Sequence, residues 1–250
     1  LRKALHTIEF VSAEKVCSGL RAIKDNDEID EMRRAVRIAQ NALQAALPAI
    51  RPGISEREVA AELTIQMLRG GSDSELPFTP IIASGPNSAN PHAFPTHRKI
   101  QRGDLVVIDW GARSNGYCSD LTRTFAIGEI TDDLKFIYET VKRSNEAGRA
   151  AGAPQKPAGS VDQAAREVIE KAGYGQYFTH RTGHGLGLED HEVPYIFGEN
   201  QEALAAGMTY TVEPGIYLPG VGGVRIEDNM LVTETGLESL SNFPRELTIL

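Results

Sequence analysis

Two stretches of this sequence, about 105 residues apart, pass through the same series of events, and few folds accommodate such a chain. From Asp27 to Leu47 (DEIDEMRRAVRIAQNALQAAL) apolar residues recur at Ile29, Met32, Val36, Ala39 and Leu43, the stripe of an amphipathic helix. Pro52-Gly53 breaks it, and Ser55 with Glu58 three residues on is a capping-box signature opening a second helix. RGDLVVIDWG and YCSDLTRTFAIG then read as two strands around a Ser-Asn-Gly turn at 114–116. In the second half Asp132 opens DDLKFIYETVKRSNEAGRAAG, with Leu134, Ile137 and Val141 in step. Pro157 and Gly159 break that helix, Ser160 with Gln163 offers another capping box, and Gly207 leads into a strand, a turn at 219–223 and a return strand. The intervals are 105 from Asp27 to Asp132, 105 from Ser55 to Ser160 and 104 from Gly103 to Gly207. A period this long points to one duplicated domain and not to a solenoid array. The expected fold class is α+β: two pseudo-symmetric helix-helix-hairpin halves, their hairpins forming a curved antiparallel sheet with helices outside and a cleft between.

The repeat also places acids. Asp109 lies six residues after Gly103, and Glu213 six after Gly207; each return strand then carries a second acid, Asp120 or Glu227. Residues facing each other across a hairpin have Cβ atoms about 4.5–5.5 Å apart. The midpoint of Asp109 and Asp120 falls at the Ser114/Asn115 turn, and that of Glu213 and Glu227 at Gly220, so each half is expected to present a facing carboxylate pair. Four carboxylates in one cleft repel strongly at neutral pH, and either protons or divalent metal must relieve them. RTGHGLGLEDHE decides for metal. His184 stands between Gly183 and Gly185, with His180 four residues before and His191 seven after. Flanking glycines let the backbone come close and leave the imidazole projecting. One imidazole and four carboxylates supply ligands for two divalent ions, and an oxygen-rich set without thiolate suits Mn²⁺, Co²⁺, Zn²⁺ or Fe²⁺.

Bulk properties narrow the partners. The formal net charge of -8 argues against a general nucleic-acid binder, which needs a basic surface. No apolar run reaches the roughly 18–20 residues that span a bilayer, and no signal peptide opens the chain. Cys17 and Cys118 are too few for a disulfide scaffold and fit a reducing compartment, so a cytoplasmic protein is expected. Cys118 has no base paired with it locally and reads as a packing residue.

VIDWGA, YCSDLTRTF, THRTGHGLGLEDHE, TVEPGIY and GGVRIED together resemble the Xaa-Pro branch of the pita-bread metallopeptidases. That family includes methionine aminopeptidase, aminopeptidase P, prolidase and the non-metal creatinase, and the resemblance covers about residues 20–250. It implies metal ligands at Asp109, Asp120, His184, Glu213 and Glu227, with Asp120 and Glu227 bridging two ions, manganese first among the candidates. It further implies a metal-held water as nucleophile and Glu213 as proton shuttle. His92 and His191 belong to matching stretches, HAFP at 92–95 and HEVP at 191–194, and the family places such histidines against the substrate carbonyl. His180 resembles the extra histidine of aminopeptidase P, and Arg225 would balance the anionic site and orient a ligand or the substrate end. His6 and His97 read as surface residues.

The implied substrate is a peptide with proline second, cleaved to release its first residue. Some prolidases hold a dipeptide's carboxylate with an arginine between the histidine-rich motif and TVEPG; this sequence has no Lys or Arg from Thr182 to Met208. That absence, with His180, tilts the expectation from dipeptides toward longer peptides. A creatinase-like hydrolase and a peptide-binding module are the rivals on this fold. Residues 1–20 read as the tail of a largely absent N-terminal domain, 21–250 as the catalytic domain, and a homodimer as the expected assembly.

Overall fold

The computed structural model describes residues 11–250. His6, read as a surface residue, lies outside them. After α1 (Glu14–Ala22), the first half consists of α2 (Asn26–Ala46), α3 (Glu56–Arg69) and strands β1 (Ile81–Ser84), β2 (Leu105–Trp110), β3 (Arg113–Ser114), β4 (Tyr117–Cys118) and β5 (Leu121–Ala126). The second consists of α4 (Asp132–Ala151), α5 (Gly159–Lys171), β6 (Gly183–Gly185), β7 (Glu192–Ile196), β8 (Thr209–Val212), β9 (Gly215–Leu218), β10 (Gly222–Arg225) and β11 (Asp228–Val232). β12 (Leu237–Ser239) and β13 (Thr248–Ile249) close the chain. One sheet has the order β1-β2-β5-β13 and the other β12-β11-β8-β6-β7, with β3-β4 and β9-β10 as short ribbons. The two sheets meet where Thr122 bridges Glu227. Among the described residues no helix is long and apolar enough to cross a membrane.

The apolar stripe of α2 is buried as its spacing requires, and Leu134, Ile137 and Val141 of α4 likewise. α2 is seated on β2 by the Trp110 indole, whose N–H donates to the Ala39 carbonyl at 2.8 Å inside the core. The duplication shows in the backbone bonds. Gly103 and Gly207 have φ of 88° and 86°, and their N–H groups donate to Ile127 and Val232 at 2.7 and 2.9 Å. Ile127 and Val232 in turn donate to Asp104 and Met208.

The repeat fails at one cap. Ser55 and Glu58 form the expected capping box on α3. Ser160 and Gln163 do not on α5: its N-cap is Ala158, Ser160 Oγ donates to Pro157 O, and Gln163 donates to Gly198 O. Here the loop at 197–202 meets the helix start, and Gly159 N–H donates to Asn200 O, so carbonyls replace the side-chain cap.

The hairpins set the acids' registers. β2 and β5 pair Asp109 with Thr122, so Asp120 is not opposite Asp109 but two residues diagonal to it, on the same face. The tight turn is Asn115-Gly116, with φ of 47° and 89°, and this moves the centre of the hairpin off Ser114/Asn115. In the second half Gly215 pairs with Arg225 and Val212 with Asp228, which sets Glu213 across from Glu227 as expected.

The segment 85–92 rests on β10. Gly223 N–H donates to Ser88 Oγ at 2.8 Å, and a Cβ on Gly223 would overlap the Ser88 carbonyl oxygen. Gly223→Ala is expected to cost about 1–3 kcal/mol, as overpacking of a closed contact does. Thermal denaturation checks this, with a Tm lower by about 2–4 °C per kcal/mol in a chain of this size.

Candidate active site

The nine residues expected at the site, His92, Asp109, Asp120, His180, His184, His191, Glu213, Arg225 and Glu227, all line one cleft of about 590 Å³. Asp109 reaches it from β2, Asp120 from the step into β5, His184 from the middle of β6, and Glu213 and Glu227 from the breaks after β8 and before β11. The glycines around His184 are required, because a Cβ on Gly183 would overlap the Thr211 carbonyl and one on Gly185 the Val193 carbonyl. Arg123 fastens the halves beneath the acids. Its buried guanidinium donates to the carbonyls of Thr122 and Glu227 at 2.8 and 2.6 Å and to Asp228 Oδ1 at 2.8 Å.

His184 Nδ1 lies 3.0 Å from the Gly185 carbonyl, which can only accept, so Nδ1 carries the proton and Nε2 presents a lone pair. Nε2 is 3.5 Å from Asp120 Oδ2 and 3.4 Å from Glu213 Oε1. Burial, then the neighbouring His191, pushes this imidazole down to about 3, so it stays neutral. Ligand atoms of Asp120, His184 and Glu227 lie within 4.8 Å of one another. Acceptors therefore converge on acceptors. Thr122 Oγ1 donates to Glu227 Oε2 at 2.7 Å and Arg225 Nη2 to Asp109 Oδ2 at 2.6 Å, but Asp109 Oδ1 and Asp120 Oδ1 are buried without a partner. Burial raises all four carboxyls; for Asp120 the charge of Glu227 is the next cause, and for Glu227 that of Glu213. A neutral imidazole, orphaned carboxylate oxygens and no thiolate form the donor set of a hard or borderline divalent cation.

Arg225 is the balancing cation, and its ion pair is with Asp109 and not with Glu227, its neighbour two residues along the strand. It also donates to Thr122 Oγ1 at 3.0 Å, to Tyr217 Oη at 3.0 Å and to the Pro91 carbonyl at 3.1 Å. His180 Nδ1 lies 2.7 Å from the Arg181 carbonyl, so Nδ1 donates and Nε2 accepts from Tyr217 Oη at 2.8 Å. Both ring nitrogens of His180 are thus engaged within the protein. His92 is exposed into the cleft, and the half-exposed His191 stacks on His184 with ring centroids 3.9 Å apart. His97 is exposed beside Arg57, and Cys118 is buried with its thiol pushed up to about 12, an inert packing group.

A family model for metallopeptidase family M24 matches residues 30–234. The chain belongs to that family. The M24 chain is 45% identical over 239 residues to the Xaa-Pro dipeptidase of Pyrococcus furiosus, covering 96% of this chain and 68% of that protein. Among solved structures it is similar to the recombinant prolidase from Thermococcus sibiricus, with TM-score 0.96, 43% identity and 100% and 68% of the two chains covered. The X-Pro aminopeptidase from Thermotoga maritima gives TM-score 0.94 at 36% identity, covering 100% and 70%. The pita-bread α+β architecture and the metallopeptidase class follow.

Tyr217 and Arg181 shape this M24 site and were not singled out in the sequence. Tyr217, inside TVEPGIY, carries the link between Arg225 and His180. Arg181 lines the cleft with its guanidinium 4.6 Å from the centre of the Tyr195 ring. It stands one position ahead of the cation-free interval that begins at Thr182, and local pattern gives no sign that it turns inward.

Proposed function

We propose that this chain releases the N-terminal residue from Xaa-Pro peptides with two divalent ions, manganese the first candidate. The convergence of four carboxylates and a neutral imidazole, with too few donors between them, is the observation that carries the reading. Proline specificity rests on the relatives, named for Xaa-Pro dipeptidase, prolidase and X-Pro aminopeptidase. Asp109, Asp120, His184, Glu213 and Glu227 would hold the ions. When bound, divalent ions make water a nucleophile at neutral pH and polarise the scissile carbonyl. The side chains do the rest. Glu213 faces the cleft and carries a proton from water to the leaving amine. His92 and His191, on separate loops, offer imidazole N–H groups to the carbonyl oxygen as it gains charge. Arg225 fixes Asp109, and His180, through Tyr217, fixes Arg225 as part of the substrate wall. The same reading takes residues 21–250 as the catalytic domain of a cytoplasmic homodimer.

Restriction to dipeptides is a second reading, and Arg181 favours it by offering a cation where a dipeptide's free carboxylate would need one. Kinetics on Xaa-Pro dipeptides and Xaa-Pro-Yaa tripeptides, with metal analysis, tests both. Turnover is expected to vanish on exhaustive chelation and return with Mn²⁺, with tripeptides cleaved at least as well as dipeptides. An Arg181→Ala variant that loses about tenfold on dipeptides alone, the worth of one charged contact, would decide for the dipeptidase. Activity that survives chelation would indicate a creatinase-like hydrolase, and binding without turnover a peptide-binding module.

A further inference from the structure

Glu56 is fully buried at the first position of α3, yet among the described residues no cation is ion-paired with its carboxylate. Such a group costs several kcal/mol unless hydrogen bonds replace its hydration. Every donor it finds comes from one stretch of chain. Oε1 accepts from Ser84 N–H at 2.8 Å and Ser84 Oγ at 2.7 Å. Oε2 accepts from Thr96 N–H at 2.9 Å and Thr96 Oγ1 at 2.6 Å, and Asn87 Nδ2 donates to both oxygens at 3.1 and 3.2 Å. Burial works against the charge, but the donors from Thr96 and Ser84 outweigh it and hold the carboxyl below its ordinary range.

Ser84 and Thr96 are the two ends of the loop that carries His92. Within that loop Ser88 is docked on Gly223, and the Pro91 carbonyl on Arg225. Just beyond Pro91 the bonds are local ones: His92 N–H donates to Asn90 Oδ1 and the buried Ala93 N–H to the Asn90 carbonyl, while His92 is exposed and Phe94 is 78% exposed. The next bonds from this stretch to the body of the protein are made by the start of α3: Arg57 Nε donates to the Pro95 carbonyl at 3.2 Å and Arg57 N–H to the Thr96 carbonyl, while Thr96 N–H and Oγ1 donate to Glu56. The two bonds to the buried Glu56 carboxylate, with Arg57 beside them, fix where residues 92–95 leave the cleft wall.

We infer that Glu56 is a positioning residue, a buried carboxylate that pins both ends of the loop at 84–96 and so holds His92 at the cleft. The inference rests on the proposed role of His92 toward the substrate carbonyl. Misplacing a transition-state contact by about 1 Å costs up to about 100-fold, so Glu56→Gln, which cannot accept all of these bonds, is expected to lower kcat about 10- to 100-fold. KM and bound metal should change little. In a His92→Ala background the same change should cost less than about twofold, because the effect passes through the histidine. Hydrogen exchange over 85–96 should accelerate in Glu56→Gln while exchange in the helices stays as in the parent, and this reads the pin without any turnover. Full activity in Glu56→Gln, an equal loss with and without His92, or unchanged exchange would each overturn the inference. A parent enzyme inactive on Xaa-Pro peptides would instead sink the functional reading, with exchange still judging the pin. Should Glu56→Gln fail to fold, Thr96→Val removes one donor and runs through the same cycle with a smaller loss.

Discussion

Asp120→Ala and Glu227→Ala are each expected to lose roughly a thousandfold or more in kcat/KM and to be purified without stoichiometric metal. Both acids belong to the tight group with His184, and both are held in place from behind. Asn229 Oδ1 accepts the Asp120 N–H at 3.1 Å, and Thr122 and Arg123 hold the Glu227 side chain and carbonyl. Either change removes a negative oxygen that the cation set needs and that no neighbour can supply. Several kcal/mol of charge stabilisation is what a divalent ion brings to acyl transfer, and about 4 kcal/mol is a thousandfold. Asp109→Ala should retain more metal, since one Asp109 oxygen is already committed to Arg225. Unfolding cannot account for the loss. The metal-free protein carries these acids under mutual repulsion, so removing one leaves its melting temperature equal or higher. Metal analysis after dialysis, kinetics on Xaa-Pro peptides and melting curves of the metal-free forms check the three parts. Near-normal activity of metal-replete Asp120→Ala would end the assignment.

Much of this was legible because the duplication repeats chemistry as well as pattern. Gly103 and Gly207 could be paired from spacing alone, and the acids six residues on followed from the pairing. What escaped depended on contacts between distant segments. The Asp109–Asp120 register turned on which two residues of Ser-Asn-Gly form the tight turn, and Asn115-Gly116 wins because both take positive φ. Ser160 lost its cap to a loop some forty residues further along the chain. β13 pairs in parallel with β5, and nothing local in Thr248–Ile249 announces that partner. Arg225 was legible as the site's cation but not the acid it would choose, since Arg225 and Glu227 are sequence neighbours while Asp109 is 116 residues away. Glu56 reads as an ordinary helix-start acid, and only the fold brings Ser84, Asn87 and Thr96 around it.

Without metal, the protein should lose stability as pH rises above about 6.5, and divalent cations should reverse that slope. A carboxyl whose pKa is higher folded than unfolded holds its proton better in the folded state. Stability is then fully present below the unfolded value and declines until the pH passes the folded one. Burial raises Glu213 from 4.5 to about 7, which alone is worth about 3 kcal/mol across that window, and raises Asp120 and Glu227 well above their usual range. Two histidines pull the other way at lower pH. Burial pushes His180 and His184 down from 6.5 to about 3, so between those values the unfolded chain binds more protons and stability climbs with pH. Above about 6.5 the histidines are silent and the acids are not. Melting curves of the chelated protein should therefore fall as pH rises above 6.5, and Glu227→Gln should flatten the fall by removing one of the titrating groups. Saturating Mn²⁺ competes with the same protons, so its affinity and the rise in Tm it gives should grow over this interval. A chelated protein whose Tm does not change with pH would mean that the four acids do not share one low-dielectric space, and the charge argument for a metal centre would fall with it.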